Sequence, residues 1–249
     1  MNLDKPIASG NTAHVYRSGN EAIKLFNANL PDTEAMKEAA KHRVAYVQGL
    51  PVPKIYDVTK VNGKQAIVME YIEGKTLGQL VCEDQSQMGR YMALSVSLQQ
   101  QVHKVVPSQI ESMKEKLKRQ IQAASPLSMK QKATLITKLE SFTYNESLCH
   151  GDFHLFNLIV GKKDQTTIID WVDASLGDPR ADVYRTYLLY SQHLSHELAE
   201  LYMRTYCETS QYLKEDIFEW APVVAAARLA ESVPEENVER LVKIVCDSI

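Results

Sequence analysis

The chain has 249 residues, 45% of them hydrophobic, and a formal net charge of −3. That length and apolar content suffice for one large domain or two lobes with a real core, and the weak negative charge offers no global positive field to nucleic acid or an anionic membrane. Four cysteines, Cys82, Cys149, Cys207 and Cys246, lack the close pairs of thiolate metal sites and form no plausible disulfide framework, so reduced, mostly buried thiols are expected. Residues 1–6 lack the basic start and apolar run of a signal peptide, and no run of about 18 apolar residues follows. A cytoplasmic location is the expectation.

Short β-like runs dominate up to about residue 73: residues 6–8, 14–17, 22–26 and 65–71, with Asn62-Gly63 as a turn. One helix interrupts them. It starts after Pro31 with Asp32 or Thr33 as cap and Glu34 in its first turn, and it runs to about Gln48 before Gly49 and the Pro51-Val52-Pro53 stop. After Gly74 the chain reads as mainly helical, with Leu94, Leu98 and Val102 at helical spacing and a capping box Ser128-x-x-Gln131. Three β-like pieces return at residues 147–149, 158–160 and 166–169, the last two joined by a tight turn at residues 161–164. Helix resumes from Ala181, one piece having Pro222 in its first turn. No repeat or low-complexity tract is present. The pattern predicts an α+β protein with an N-terminal lobe over residues 1–73, a connector at 70–74, and a helical lobe over 74–249 holding a β-hairpin.

The densest chemistry lies in His150-Gly151-Asp152-Phe153-His154-Leu155-Phe156-Asn157, with Asp170 13 residues beyond Asn157 in Ile168-Ile169-Asp170-Trp171. Transfer of a phosphoryl group to a hydroxyl needs a carboxylate that orients the nucleophile and takes its proton, and oxygen ligands for magnesium. Asp152, Asn157 and Asp170 fit those needs. A His-Gly-Asp turn whose aspartate only caps a local loop is the plainer alternative.

The segment resembles the catalytic core of the aminoglycoside phosphotransferase and choline kinase-like family, distant relatives of protein kinases, in which His-Gly-Asp-x-x-x-x-Asn and Ile-Asp-Trp stand where protein kinases have His-Arg-Asp-x-x-x-x-Asn and Asp-Phe-Gly. The likeness spans roughly residues 8–185. It implies a bilobal protein-kinase-like fold with a small antiparallel-sheet N-lobe and a mainly helical C-lobe. It further implies Asp152 as catalytic base, Asn157 and Asp170 as magnesium ligands, and ATP or GTP as co-substrate.

Upstream, Glu21-Ala22-Ile23-Lys24-Leu25-Phe26 reads as a strand with Ala22, Lys24 and Phe26 on one face and resembles the kinase Val-Ala-Ile-Lys strand. The resemblance assigns Lys24 to the nucleotide phosphates and Ala22 to the adenine side, although a lysine in such a strand is by itself commonplace. Glu38, with Glu34 as runner-up, is the expected partner of Lys24, unless either pairs only with Lys37 or Lys41 on the helix surface. The segment from Ser9 to Tyr16, with Val15 as a nucleotide contact, stands where the phosphate-covering loop belongs but holds a single glycine. Met69, Glu70 and Ile72 resemble the hinge that lines the adenine site. In Leu176-Gly177-Asp178-Pro179-Arg180-Ala181-Asp182, Asp182 is expected to bond backbone of the catalytic loop, and Asp173 is expected either to face the acceptor and bind its hydroxyl or ammonium or to be a solvated loop charge. His150 is expected to orient the loop, while His103 and His154 read as packed histidines. The tyrosines and Trp220 of the last 70 residues suit a substrate wall or, more often, a core.

The absence of an Ala-Pro-Glu segment and of a long activation loop favours a small-molecule acceptor over a protein. A nucleotide-binding pseudokinase and an atypical protein kinase remain alternatives. The expected partners are a nucleotide and a small molecule, with no nucleic acid and no membrane; the sequence leaves the oligomeric state and the acceptor open.

Overall fold

The computed structural model of the chain describes residues 5–161, 165–231, 233 and 236–248. The fold is α+β, with an antiparallel sheet in the N-terminal part and helices dominating the C-terminal part. Packing of the backbone divides the chain into two compact units, one of Met1–Gln87 with Leu155–Asp173 and the other of Met88–His154 with Ala174–Ile249.

In the first unit, β1 (Ala8–Ser9), β2 (Ala13–Ser18), β3 (Glu21–Phe26), β4 (Ile55–Val61) and β5 (Lys64–Glu70) form one antiparallel sheet in the order β1-β2-β3-β5-β4. The β4–β5 turn places Asn62 and Gly63 at φ 51° and 80°, the left-handed pair a tight hairpin needs. Strand alternation sorts β3 into two faces. Phe26 packs with Ala13, Ile67, Ala35 and Ala39 under the helix α1 (Glu34–Val47), and Ile23 and Leu25 pack with Val61 and Ala66 on the other side.

Thr33 stands at the N-cap of α1 but makes no side-chain cap bond. Gln65 of β5 serves instead, accepting from the Ala35 N–H at 2.9 Å and donating to the Pro31 carbonyl at 2.8 Å, so the helix start is fastened to the sheet. Near the other end, His42 Nε2 lies 2.6 Å from the Pro53 carbonyl.

A second sheet in this unit joins β6 (Gly74–Thr76), β8 (Leu158–Gly161) and β9 (Thr166–Ile168) in the order β6-β8-β9. Of the tight turn expected between β8 and β9, residues 162–164 lie outside the described residues. Helix α2 (Leu77–Glu83) follows β6 through a capping box of Thr76 and Gln79. Gly78 in it faces the Phe156 ring so closely that a Cβ would fall 2.6 Å from Phe156 Cε1.

The second unit contains α3 (Met88–His103), α4 (Met113–Ala123), α5 (Met129–Ser141), α6 (Pro179–His193), α7 (His196–Thr209), α8 (Lys214–Phe218), α9 (Ala221–Arg228) and α10 (Val238–Cys246), with the short pair β7 (Ser147–Cys149) and β10 (Ser175–Gly177). The capping box of Ser128 and Gln131 opens α5, and Pro222 lies in the first turn of α9. Trp220 and the tyrosines Tyr184, Tyr187, Tyr190, Tyr202 and Tyr206 are core, whereas Tyr212 is half-buried. Trp220 is fully buried and stacks on Phe142 at 4.2 Å, and Tyr190 meets Tyr202 edge-on at 5.4 Å.

All four thiols are free, but only Cys149 is buried, whereas Cys82 and Cys246 are exposed and Cys207 is intermediate. The expectation of mostly buried cysteines is corrected, because Cys82 and Cys246 sit on helix flanks that face solvent. Among the described residues no helix is long and apolar enough to cross a membrane.

Candidate active site

In the first unit the pairing register decides which side chains meet. Val15 lies opposite Lys24, and Ala22 opposite Met69, so Val15, Ala22, Lys24 and Met69 share one face of the sheet. Lys24 is 6% exposed, and an ammonium that deep needs opposite charge. Two carboxylates supply it: Lys24 Nζ donates to Glu38 Oε1 at 2.7 Å and to Asp170 Oδ1 at 2.8 Å. Burial works against the charge, but Asp170 and Glu38 outweigh it and hold the ammonium well above the usual lysine range. Glu38 itself is pushed up to about 7 by burial, with Lys24 pulling the other way. Its second oxygen, Oε2, is buried without a hydrogen-bond partner. Glu34 lies off this cluster and binds Lys37 at 2.9 Å.

Asp170 adopts φ 64°, a left-handed conformation uncommon for a non-glycine residue. It follows Ile169, whose N–H donates to the Asn157 carbonyl at 3.0 Å. That bond joins the turn carrying Asn157 to the strand end carrying Asp170. Asn157 is buried, whereas the Asp170 carboxylate is 37% exposed. Beyond it, Lys41 of α1 donates to the Val172 carbonyl at 2.8 Å. One helical turn of α1 thus reaches Lys24 through Glu38 and the segment after Asp170 through Lys41. Asp173 is half-buried and near enough to Glu38 to add to its upward shift. The Glu70 N–H donates to the Lys54 carbonyl at 2.8 Å, and Ile72 is half-buried in the irregular segment that follows β5.

The second unit holds Asp152. Gly151 before it has φ 81°, so this turn relies on glycine. The Gly151 N–H donates to Asp182 Oδ1 at 2.6 Å and the His150 N–H to Asp182 Oδ2 at 3.4 Å. The Asp152 N–H donates to His150 Nδ1 at 3.3 Å, and His154 Nε2 lies 3.4 Å from Asp152 Oδ2. Burial favours the neutral acid at Asp152. The hydrogen bond and charge of His154, with the charges of Arg185 and His150, overcome it and hold the carboxyl well below the usual carboxylate range.

Asp182 is buried and also meets His103 Nε2 at 2.9 Å and Gln99 Nε2 at 3.1 Å. His103, Cys149 and Asp182 bring possible ligand atoms within 4.8 Å of one another. Both Asp182 oxygens already face N–H groups, and burial raises the Cys149 thiol well above its ordinary value. The cluster is therefore a hydrogen-bonded support rather than a metal centre.

Three contacts had escaped sequence reasoning: Lys41 on Val172, His154 beside Asp152, and Arg185, whose Nε donates to the Gly151 carbonyl at 3.2 Å. A usable signal existed for Arg185. It follows Asp182 by three residues on one helix, the spacing that puts two side chains on one face.

An antiparallel N-terminal sheet with a buried lysine paired to a helix glutamate, followed by a mainly helical part, is the protein-kinase-like fold. The chain belongs to the Phosphotransferase enzyme family, whose sequence profile matches residues 4–223. None of the curated proteins matches the chain in sequence. Among solved structures, choline kinase LicA from Streptococcus pneumoniae is similar at 17% identity and a TM-score of 0.69, covering 99% of this chain and 94% of that one. LicA in complex with AMP aligns at 17% identity and TM-score 0.69 over 100% of this chain and 92% of that one. A thermostable mutant of aminoglycoside phosphotransferase APH(4)-Ia, in a ternary complex with ADP and hygromycin B, aligns at 13% identity and TM-score 0.70 over 99% and 92%.

Proposed function

We propose that this phosphotransferase is a magnesium-dependent small-molecule kinase that moves the γ-phosphate of ATP or GTP to a hydroxyl, or an amine, of its acceptor. The observation that carries the reading is the buried Lys24, held between Glu38 at 2.7 Å and Asp170 at 2.8 Å. A lysine fixed by a helix glutamate is the part that grips nucleotide phosphates in kinase-like enzymes. In this reading residues 1–73 form the nucleotide lobe and residues 74–249 the catalytic and acceptor lobe. Val15, Ala22 and Met69 wall the nucleotide, and the backbone of Glu70 and Ile72 meets the adenine edge.

Asp152 is the base. It accepts the proton of the acceptor hydroxyl as that oxygen bonds to the γ-phosphorus, and the bond to the leaving diphosphate breaks. The charges of His154, Arg185 and His150 keep Asp152 anionic, which lets it accept and orient the acceptor's hydroxyl hydrogen, at the cost of weaker basicity.

The donor set suits magnesium: an Asn157 amide oxygen and an Asp170 carboxylate are hard oxygen ligands, and the Asn157–Ile169 bond ties their turns together. When bound, the ion would neutralise charge on the transferring phosphate. Asp173 is proposed to contact the acceptor. LicA has been crystallised with AMP and APH(4)-Ia with ADP and hygromycin B, which supports a nucleotide and a small molecule as partners here. A cytoplasmic setting, with nucleotide available and the four thiols reduced, completes the proposal.

The test is melting with ATP or GTP plus magnesium, followed by phosphate transfer to amino alcohols, sugars and aminoglycosides. A ligand at 100 times its dissociation constant adds about 2.7 kcal/mol, so wild type should melt higher and Asp170→Ala should lose that gain. Asp152→Asn should keep the melting gain and lose most transfer. Full activity in Asp152→Asn would refute the assigned base, and a melting gain without transfer in wild type would point to a pseudokinase.

A further inference from the structure

The loop carrying Asp152 has little regular secondary structure to hold it, yet a base must be fixed to a fraction of an ångström. Its backbone groups instead meet buried charged side chains of α6. The N–H of the peptide between His150 and Gly151 goes to Asp182 Oδ1 at 2.6 Å, and the carbonyl of the next peptide, between Gly151 and Asp152, receives Arg185 Nε at 3.2 Å. Both peptides beside the left-handed Gly151 are thus gripped from one helix, by residues three apart. Hydrogen bonds to charged groups are stronger than those between neutral groups, and two of them on adjacent peptides select one loop conformation.

Arg185 is itself restrained. Its Nη2 donates to Glu231 Oε2 at 2.7 Å, and its side chain is 10% exposed. Glu231 Oε2 also receives Arg228 Nη1, and Arg228 Nε donates to Glu236 Oε2. The segment after α9 therefore closes a network that ends at the Gly151 carbonyl.

We infer that Arg185 is a positioning residue for Asp152, holding the peptide that carries the aspartate's backbone, and that Glu231 holds Arg185 in place. The inference rests on the reading of Asp152 as base. Nucleotide hydrolysis and amide exchange, measured on the full chain, separate its failure from that of the reading. The acceptor is unidentified, so the probe reaction is magnesium-dependent hydrolysis of ATP, with water as acceptor.

In Arg185→Met the amides of residues 150–152 should exchange about tenfold faster, while those of α7 and α10 stay protected. The KM for ATP should stay within about twofold, and kcat should fall roughly 10- to 100-fold. Glu231→Gln should move both readouts the same way by less. Unchanged exchange at residues 150–152 overturns the inference whatever the activity. Faster exchange with unchanged kcat overturns the positioning role. If the wild type hydrolyses no ATP, that counts against the kinase reading, and exchange alone decides the grip on the loop. Should the methionine variant not fold, Arg185→Lys, which keeps the charge but not the fork, is expected to give the same changes, smaller in size.

Discussion

Asp182→Asn tests the support of the loop that carries Asp152. Asp182 Oδ2 faces His103, Gln99 and the His150 N–H, and Oδ1 takes the Gly151 N–H at 2.6 Å. An asparagine keeps one oxygen. Turned to serve the three donors at Oδ2, it sets its NH2 against the Gly151 N–H, so a short charge-assisted bond becomes two opposed donors. The lost bond is worth about 1.5–3 kcal/mol and the stranded donor about 1–3 kcal/mol, so the variant should lose about 3–5 kcal/mol. At about 2–4 °C per kcal/mol for a chain of this size, Tm should fall by roughly 6–20 °C. The pH dependence gives a second check. Burial raises the Asp182 carboxyl, but the bonds and charge from His103, with Gln99 and Gly151, lower it from 3.8 to about 2. A carboxyl lowered on folding stabilises above its unfolded value and loses that effect as pH falls through the folded one. The carboxylate therefore contributes about 2 kcal/mol at neutral pH. The difference in urea stability between wild type and variant should narrow as pH falls from about 4 toward 2. A gap below about 1 kcal/mol at pH 7, or one that does not narrow, would refute this account of Asp182.

Three further outcomes follow from the same reasoning. Lys24→Met removes a cation from Glu38, which is 4% exposed; breaking a buried pair costs about 3–5 kcal/mol. Burial already pushes Glu38 up to about 7, and an acid raised on folding costs stability as pH rises above its unfolded value. The variant's Tm should therefore drop more steeply than wild type's from about pH 5 to 9. Gly74→Ala would place a Cβ 2.0 Å from the Val160 carbonyl oxygen, a clash of the new methyl with backbone in the β6–β8 pair, and should cost about 3 kcal/mol in urea unfolding. Gly89→Ala meets nothing within 4 Å in α3 and should stabilise by up to about 1 kcal/mol; a loss there would mean that α3 needs the glycine for a reason other than space.

Much of the fold was legible where a local period or a breaker writes it. The alternation in β3, the Gly49 and Pro51 stop after α1, and the capping box before α5 each depend on residues a few positions apart. The three-residue strands β6 and β10 were not, because each exists through a distant partner: residues 74–76 with 159–161, and 175–177 with 147–149. The start of α1 is half legible for the same reason. Thr33 has the right chemistry at the right place, but Gln65, 30 residues from Ala35, makes the bond. The choice of Glu38 over Glu34 was written in the helix, since Ala35, Glu38, Ala39, His42 and Ala45 form the buried stripe at the 3- and 4-residue spacing of one face. The backbone bonds of Asp182 were reachable only through the family resemblance. Arg185 shares a helix face with Asp182 by its spacing, but its bond to the Gly151 carbonyl needs the folded loop.

The two carboxylates on Lys24 differ in what surrounds them, and that difference bears on how a nucleotide could be admitted. Glu38 is 4% exposed and belongs to a helix fastened at both ends to its own sheet unit, by Gln65 and by Pro53. Freeing its carboxylate would strand a charge in a dry place. Asp170 is 37% exposed, so water can solvate its carboxylate when the lysine leaves it, which makes this side of the cluster the easier one to part. An ammonium has three donors, two of which are used here. If Lys24 binds a nucleotide phosphate as proposed, the phosphate would meet the third donor and compete with the more exposed Asp170 before Glu38. The permanent pair orients the lysine, and the exposed carboxylate is the one free to exchange.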